Sequence, residues 1–260
     1  MPDIPRIGTK TGLKITKALF PGVVYVAKKV SMEALGLIGI KEVPLESELL
    51  VKIIYSGLAK ERYGQDVHKC LSEKDMAPHY YTPFSTKLPS LPRTTLEMYH
   101  VMEYLPPPEG ASMGWMTLYD LGRSYPAEAA ESKHQISGAL NAILEVLRSH
   151  KFVHGDFRTN NVLVFVEIKK NSLDGPSIII QPNPKSKSVA YLKVVDFDWA
   201  GIAGKVRYPS IRNPDIHWPG ANGKTIDINH DEEMINHWMV FWPKDPQPVQ
   251  VPEEVGFVEE

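Results

Sequence analysis

Residues 152–161 read FVHGDFRTNN, which sets a histidine, an aspartate, an arginine and two asparagines between apolar runs. An unsatisfied polar group at the start of a buried strand costs roughly 1–3 kcal/mol. Groups this dense therefore either satisfy one another or hold a ligand. Asp156 and Asn161 stand five positions apart, with Arg158 two beyond the aspartate. Thirty-five residues after Asn161 comes Asp196, in VVDFDWAG, at the end of an apolar run with no cation near it in sequence. A carboxylate in that place is costly unless a ligand neutralises it. The chemistry on offer is the binding of a charged ligand.

The elements that must carry these residues follow from periodicity and punctuation. In residues 127–151, Ile136, Leu140, Ile143, Leu144 and Leu147 recur at spacings of three and four, which predicts one long helix leading into the polar stretch. NVLVFVEI and YLKVVDF predict strands after it, with residues 169–188 as an insertion at a hairpin. Upstream, PGVVYVAKKV (21–30), SELLVKIIY (47–55) and EMYHVMEYL (97–105) predict strands. Residues 59–74 predict an amphipathic helix weakened by Gly64, and the prolines of PPPEG predict a hinge between two parts. Residues 230–242 predict a last helix, its start anchored by Asp231 as a capping carboxylate. The proline- and acid-rich residues 246–260 predict a disordered tail.

Composition excludes several classes. The 260 residues are 43% hydrophobic and 23% charged, with a net charge of -2, so no global positive field recruits nucleic acid or an anionic membrane. Cys70 is the single cysteine and cannot form an internal disulfide, which fits a reducing compartment. No apolar run reaches the roughly 18 residues of a membrane span, and MPDIPRIGTK lacks a signal-peptide core. The expectation is a soluble, intracellular, cytoplasmic protein with no membrane and no nucleic-acid partner. Trp199, Trp218, Trp238 and Trp242 are expected to pack cores rather than stack bases, and the lone pair His230–Asp231 does not make a metal site.

HGDFRTNNVLV, followed by VVDFDWAGIAGKVRYP, together with ERYGQDVH, MAP and VMEYL, resembles the protein kinase-like superfamily, and within it a group of divergent fungal protein kinase-like proteins. The resemblance covers roughly residues 47–240 and is strongest over 152–209. It implies an α+β, bilobal protein kinase-like fold: a small, mainly β N-lobe (1–104), a shortened helical C-lobe (105–245) and the tail. It also implies ATP and Mg²⁺ as cofactors. Asp156 would orient or deprotonate an acceptor hydroxyl, and Arg158 would reach the transferring phosphoryl group. Asn161 and Asp196 would be the metal ligands, hard oxygen donors that suit Mg²⁺. Lys52 would clamp phosphates, with Lys41 as rival, and Glu61, Gln65 or Asp66 would be its helix partner. Met102 would be the gatekeeper, with the backbones of Glu103 and Leu105 facing adenine. His154 would brace the loop.

The chain departs from the pattern in three places. No G-x-G-x-x-G precedes VVYVAK, where Gly22 alone remains; Asp198 takes the third place of D-F-G; and no A-P-E follows. Asp198 stands where glycine would tolerate positive φ, which predicts a loop held in one metal-binding state. Three functions stay open: a kinase acting on protein Ser/Thr hydroxyls, a phosphotransferase of small molecules such as aminoglycosides or choline, and a catalytically silent binding module.

Overall fold

Apolar alternation decides which way each N-terminal strand faces, because successive side chains in a strand point to opposite sides. The structure is a computed structural model that describes residues 13–20, 23–29, 43–56, 63–86, 96–108, 112–172 and 175–243. Five antiparallel strands, β1 (Leu13–Phe20), β2 (Val24–Lys29), β3 (Glu48–Ser56), β4 (Tyr80–Thr86) and β5 (Leu96–Glu103), form a sheet in the order β1-β2-β3-β5-β4. Leu49, Val51 and Ile53 of β3 join Tyr25, Tyr99 and Val101 in a core on one face. Leu50 and Ile54 pack into the larger core on the other. The same period sends Lys52 to that second face, and the register sets it opposite Val24 and His100.

Helix α1 (Gln65–Glu73) buries Val67, His68 and Leu71. It is shorter than the helix expected over 59–74, and residues 59–62 lie outside the described residues. Gly64 stands just before it rather than within it. A Cβ there would come within 2.5 Å of the Ala200 Cβ, so glycine lets the helix start approach the 196–200 loop.

After residues 104–108 the chain forms β6 (Met113–Thr117), α2 (Leu118–Ser124), α3 (Pro126–Glu131) and α4 (Lys133–Ser149). The expected long helix is thus two helices, parted at Ser132. Its apolar stripe holds: Ile136, Leu140, Ile143, Leu144 and Leu147 are all buried, each worth about 1.5–3 kcal/mol. Then follow β7 (Phe152–Val153), a 3₁₀ turn at Thr159–Asn161, β8 (Val162–Ser172), β9 (Gly175–Ile180), β10 (Leu192–Val194), β11 (Gly201–Ile202) and α5 (His230–Phe241).

The part after residue 105 carries the helices α2–α5 together with paired strands. Strand β8 pairs antiparallel with β6, β9 and β10, and β11 pairs with β7. The supposed insertion contributes β9, whose Ile178 and Ile180 are buried. The molecule is a mixed α+β fold with antiparallel sheets. Among the described residues, no helix is long and apolar enough to cross a membrane. Lys41, Glu61, Gly22 and the tail 246–260 lie outside the described residues.

Candidate functional site

The polar stretch satisfies itself to a large degree. His154 Nε2 lies 3.0 Å from the Val195 carbonyl, which can only accept, so Nε2 carries the proton; the Asp156 N–H then donates to Nδ1 at 3.3 Å. Gly155 holds φ +81°. The backbone N–H groups of His154 and Gly155 donate to the two oxygens of Asp231 at 2.6 and 2.8 Å. Asp231 is not the cap of α5, a position that Asn229 occupies. Its carboxylate ties the helix to this loop, although burial pushes its pKa up against the pull of His154 and these backbone donors.

The Asp156 carboxylate is engaged on both oxygens. Arg158 donates through Nε at 2.5 Å and Nη2 at 2.7 Å, and Asn161 Nδ2 donates to Oδ2 at 3.0 Å and to the Asp156 carbonyl at 2.9 Å. The Asp156 side chain is only 6% exposed. The Arg158 guanidinium also lies over the Trp218 ring, 5.5 Å from its centre.

A cleft of about 860 Å³ opens between the five-stranded sheet and the loops that follow β7 and β10. Its lining brings together Lys52, Met102, Glu103, Leu105, Asn161 and Asp196, drawn from distant parts of the chain. The size suits a small-molecule ligand. Asp156 and Arg158 are not among its lining residues, but Asn161, bonded directly to Asp156, joins the loop to it. The Glu103 N–H donates to the His79 carbonyl at 2.8 Å, so that donor is committed within the fold. Its carboxylate holds Lys193 Nζ at 2.8 Å.

At the inner end, Lys52 Nζ donates to Asp196 Oδ1 at 2.5 Å and makes a charge contact with Asp198 Oδ1 at 2.6 Å. Burial alone pulls the Lys52 pKa down, but the two carboxylates outweigh it and the net direction is upward. Burial pushes Asp198 up, Lys52 pulls it down and Asp196 pushes it up again, for a net rise. Of the expected helix partners, Gln65 is half-buried and Asp66 exposed; among the described residues the ion pairs of Lys52 go to Asp196 and Asp198 instead.

The left-handed backbone falls at Asp196, with φ +67°, and not at Asp198, which occupies the third position without glycine-like angles. The loop is held by Phe197, which stacks on His68 with centroids 4.3 Å apart at 9°. Its carbonyl accepts from the Gly64 N–H at 2.8 Å. Behind it, His68 donates from Nε2 to the Pro78 carbonyl at 2.9 Å and accepts the Tyr63 hydroxyl at 2.6 Å. Burial takes the His68 pKa down to about 3 and that of His100 to about 4.

Mg²⁺ prefers oxygen donors and commonly takes one or two carboxylates, leaving the remaining positions to phosphates and water. The residues present fit such a cation. Asp196 offers a carboxylate whose side chain is 42% exposed, and Asn161 commits its Nδ2 to Asp156, which turns its amide oxygen the other way. Among the described residues there is no cluster of three or more His, Cys, Asp or Glu side chains that could hold a metal ion. The protein would thus supply part of a coordination shell.

Two positions escaped the sequence reading: Asp198 as a partner of Lys52, and Asp231 as the acceptor for the 154–155 backbone. Trp238 and Trp242 pack as expected, donating their indole N–H groups to the Phe157 and Leu118 carbonyls. No protein-family model matches the chain, and no curated protein matches it.

Proposed function

We propose that the protein is an ATP-dependent phosphotransferase of bilobal, protein kinase-like architecture, acting on a protein Ser/Thr hydroxyl. One observation carries the reading: Lys52, Asn161, Asp196 and the 102–105 segment, named for separate roles, line one cleft of about 860 Å³. Adenine would sit against Met102, Glu103 and Leu105, and Lys52 would face the phosphates. Asn161 and Asp196 would hold Mg²⁺, which supplies charge neutralisation on the phosphates. Arg158 would exchange Asp156 for the transferring group, and the freed Asp156 carboxylate would accept the acceptor proton. The test uses purified protein, Mg²⁺ and γ-labelled ATP, with the label followed into protein, metabolites and water. Label in a protein hydroxyl supports the reading, and label in a metabolite pool alone moves the acceptor to a small molecule.

A second reading rests on the clamp at Asp156, whose two oxygens are both taken by Arg158 and Asn161. If the clamp persists with nucleotide bound, the protein is a silent binding module. Saturable ATP binding without transfer to any acceptor selects it.

A further inference from the structure

Two carboxylates meet one ammonium at the inner end of the cleft: Asp196 at 2.5 Å and Asp198 at 2.6 Å from Lys52 Nζ. The trio carries one surplus negative charge, so one carboxylate can serve another cation without leaving the buried lysine unpaired. An unpaired buried charge is the arrangement proteins avoid most strongly.

The two aspartates differ in how they are held. Asp196 ends the run after β10 with left-handed backbone, φ +67°, which Asp198 does not share; the two side chains line the same cleft and are similarly exposed, 42% and 39%. Asp198 follows Phe197, which is fixed by its stack on His68 and by the Gly64 N–H on its carbonyl. The turn closes where the Ala200 N–H reaches that same carbonyl at 3.2 Å. The absent Cβ of Gly64 lets Ala200 sit against the helix start. Packing of its neighbours on both sides thus fixes the backbone from which Asp198 reaches Lys52.

We propose that Asp198 is the standing partner of Lys52, a positioning residue that keeps the ammonium aimed into the cleft while Asp196 is given over to a phosphate-bound cation. This rests on the phosphotransferase reading of the cleft. It also makes the lysine's position depend on the 196–200 loop rather than on a carboxylate of α1.

Two measurements test it. In ligand-free protein, urea midpoints are compared for wild type, Lys52→Met, Asp198→Asn and the double variant. Lys52→Met is expected to lower the midpoint less in the Asp198→Asn background than in wild type, because one of the two stranded carboxylates is gone. Equal loss in both backgrounds overturns the pairing.

ATP affinity is then measured in EDTA and in Mg²⁺. Asp198→Asn is expected to weaken ATP by about tenfold in both, keeping the gain from Mg²⁺, and to add nothing in a Lys52→Met background. Asp196→Asn is expected to lose the Mg²⁺ gain. Loss of that gain in Asp198→Asn, or additivity with Lys52→Met, overturns the assignment. Wild-type protein that binds no ATP overturns the reading of the cleft instead, and the ligand-free cycle tells that failure from a failure of the lysine pairing.

Discussion

At the scale of single residues, the account turns on Asp156. Its carboxylate accepts three donors from Arg158 and Asn161 and is nearly hidden from water. On the proposed function an acceptor hydroxyl would reach it only after Arg158 lets go, and a terminal phosphate is a strong competitor for a guanidinium. Asp156→Asn is expected to keep Mg-ATP affinity within a few fold and to lower kcat by about 10²-fold or more, the scale of a lost general base. Single-turnover kinetics beside equilibrium nucleotide binding separate the two effects. Loss of affinity with an unchanged rate of the chemical step would place Asp156 among the ligand-holding groups instead.

At the scale of elements, two contacts hold the site loops to their supports. Gly64→Ala puts a Cβ within 2.6 Å of the Ala200 carbonyl oxygen and 2.5 Å of its Cβ. Overpacking of this kind costs about 1–3 kcal/mol. The expected result is a lower urea midpoint together with faster amide exchange at residues 196–200. Asp231→Ala strands the buried N–H groups of His154 and Gly155, at about 2 kcal/mol or more. The accompanying loss of exchange protection at 154–156 distinguishes it from simple damage to α5.

These elements also show what the sequence could reveal. The stripe from Ile136 to Leu147 follows the helical period, and the alternation in SELLVKIIY sends Lys52 and its neighbours to opposite faces, so α4 and β3 were readable. The break at Ser132 was not, because the stripe begins beyond it and nothing in the period marks it. The isoleucines of GPSIIIQP form β9, but proline, serine and lysine around them hid the strand. Asp231 lies 77 positions from His154, and Asp196 lies 144 from Lys52. Spacing along the chain carries no information on such pairings. The resemblance looked for the lysine's partner among Glu61, Gln65 and Asp66, the first of which lies outside the described residues, and so passed over Asp198.

At the scale of the molecule, the larger core runs from α1 through α4 to β8, and the aromatic cluster of Tyr63, His68, Tyr80, His100 and Phe197 fills the space beside the cleft. Two of its members are histidines kept neutral, with values of about 3 for His68 and about 4 for His100 against an ordinary 6.5. The unfolded chain takes up these protons as pH falls below 6.5 while the folded protein does not. Their contribution to stability is therefore complete above that pH and is lost on acidification, by at most about 1.4 kcal/mol per pH unit for each. Urea unfolding between pH 6.5 and 5 should show this decline, and a flat profile would contradict it.

The central claim is that the cleft holding Lys52 receives the phosphates of ATP. Equilibrium titration of wild type and Lys52→Met with Mg-ATP tests it most directly. The account predicts saturable binding to one site in wild type, weakened about tenfold or more when the ammonium is removed. Equal affinity in both proteins, or no binding by wild type, would contradict it.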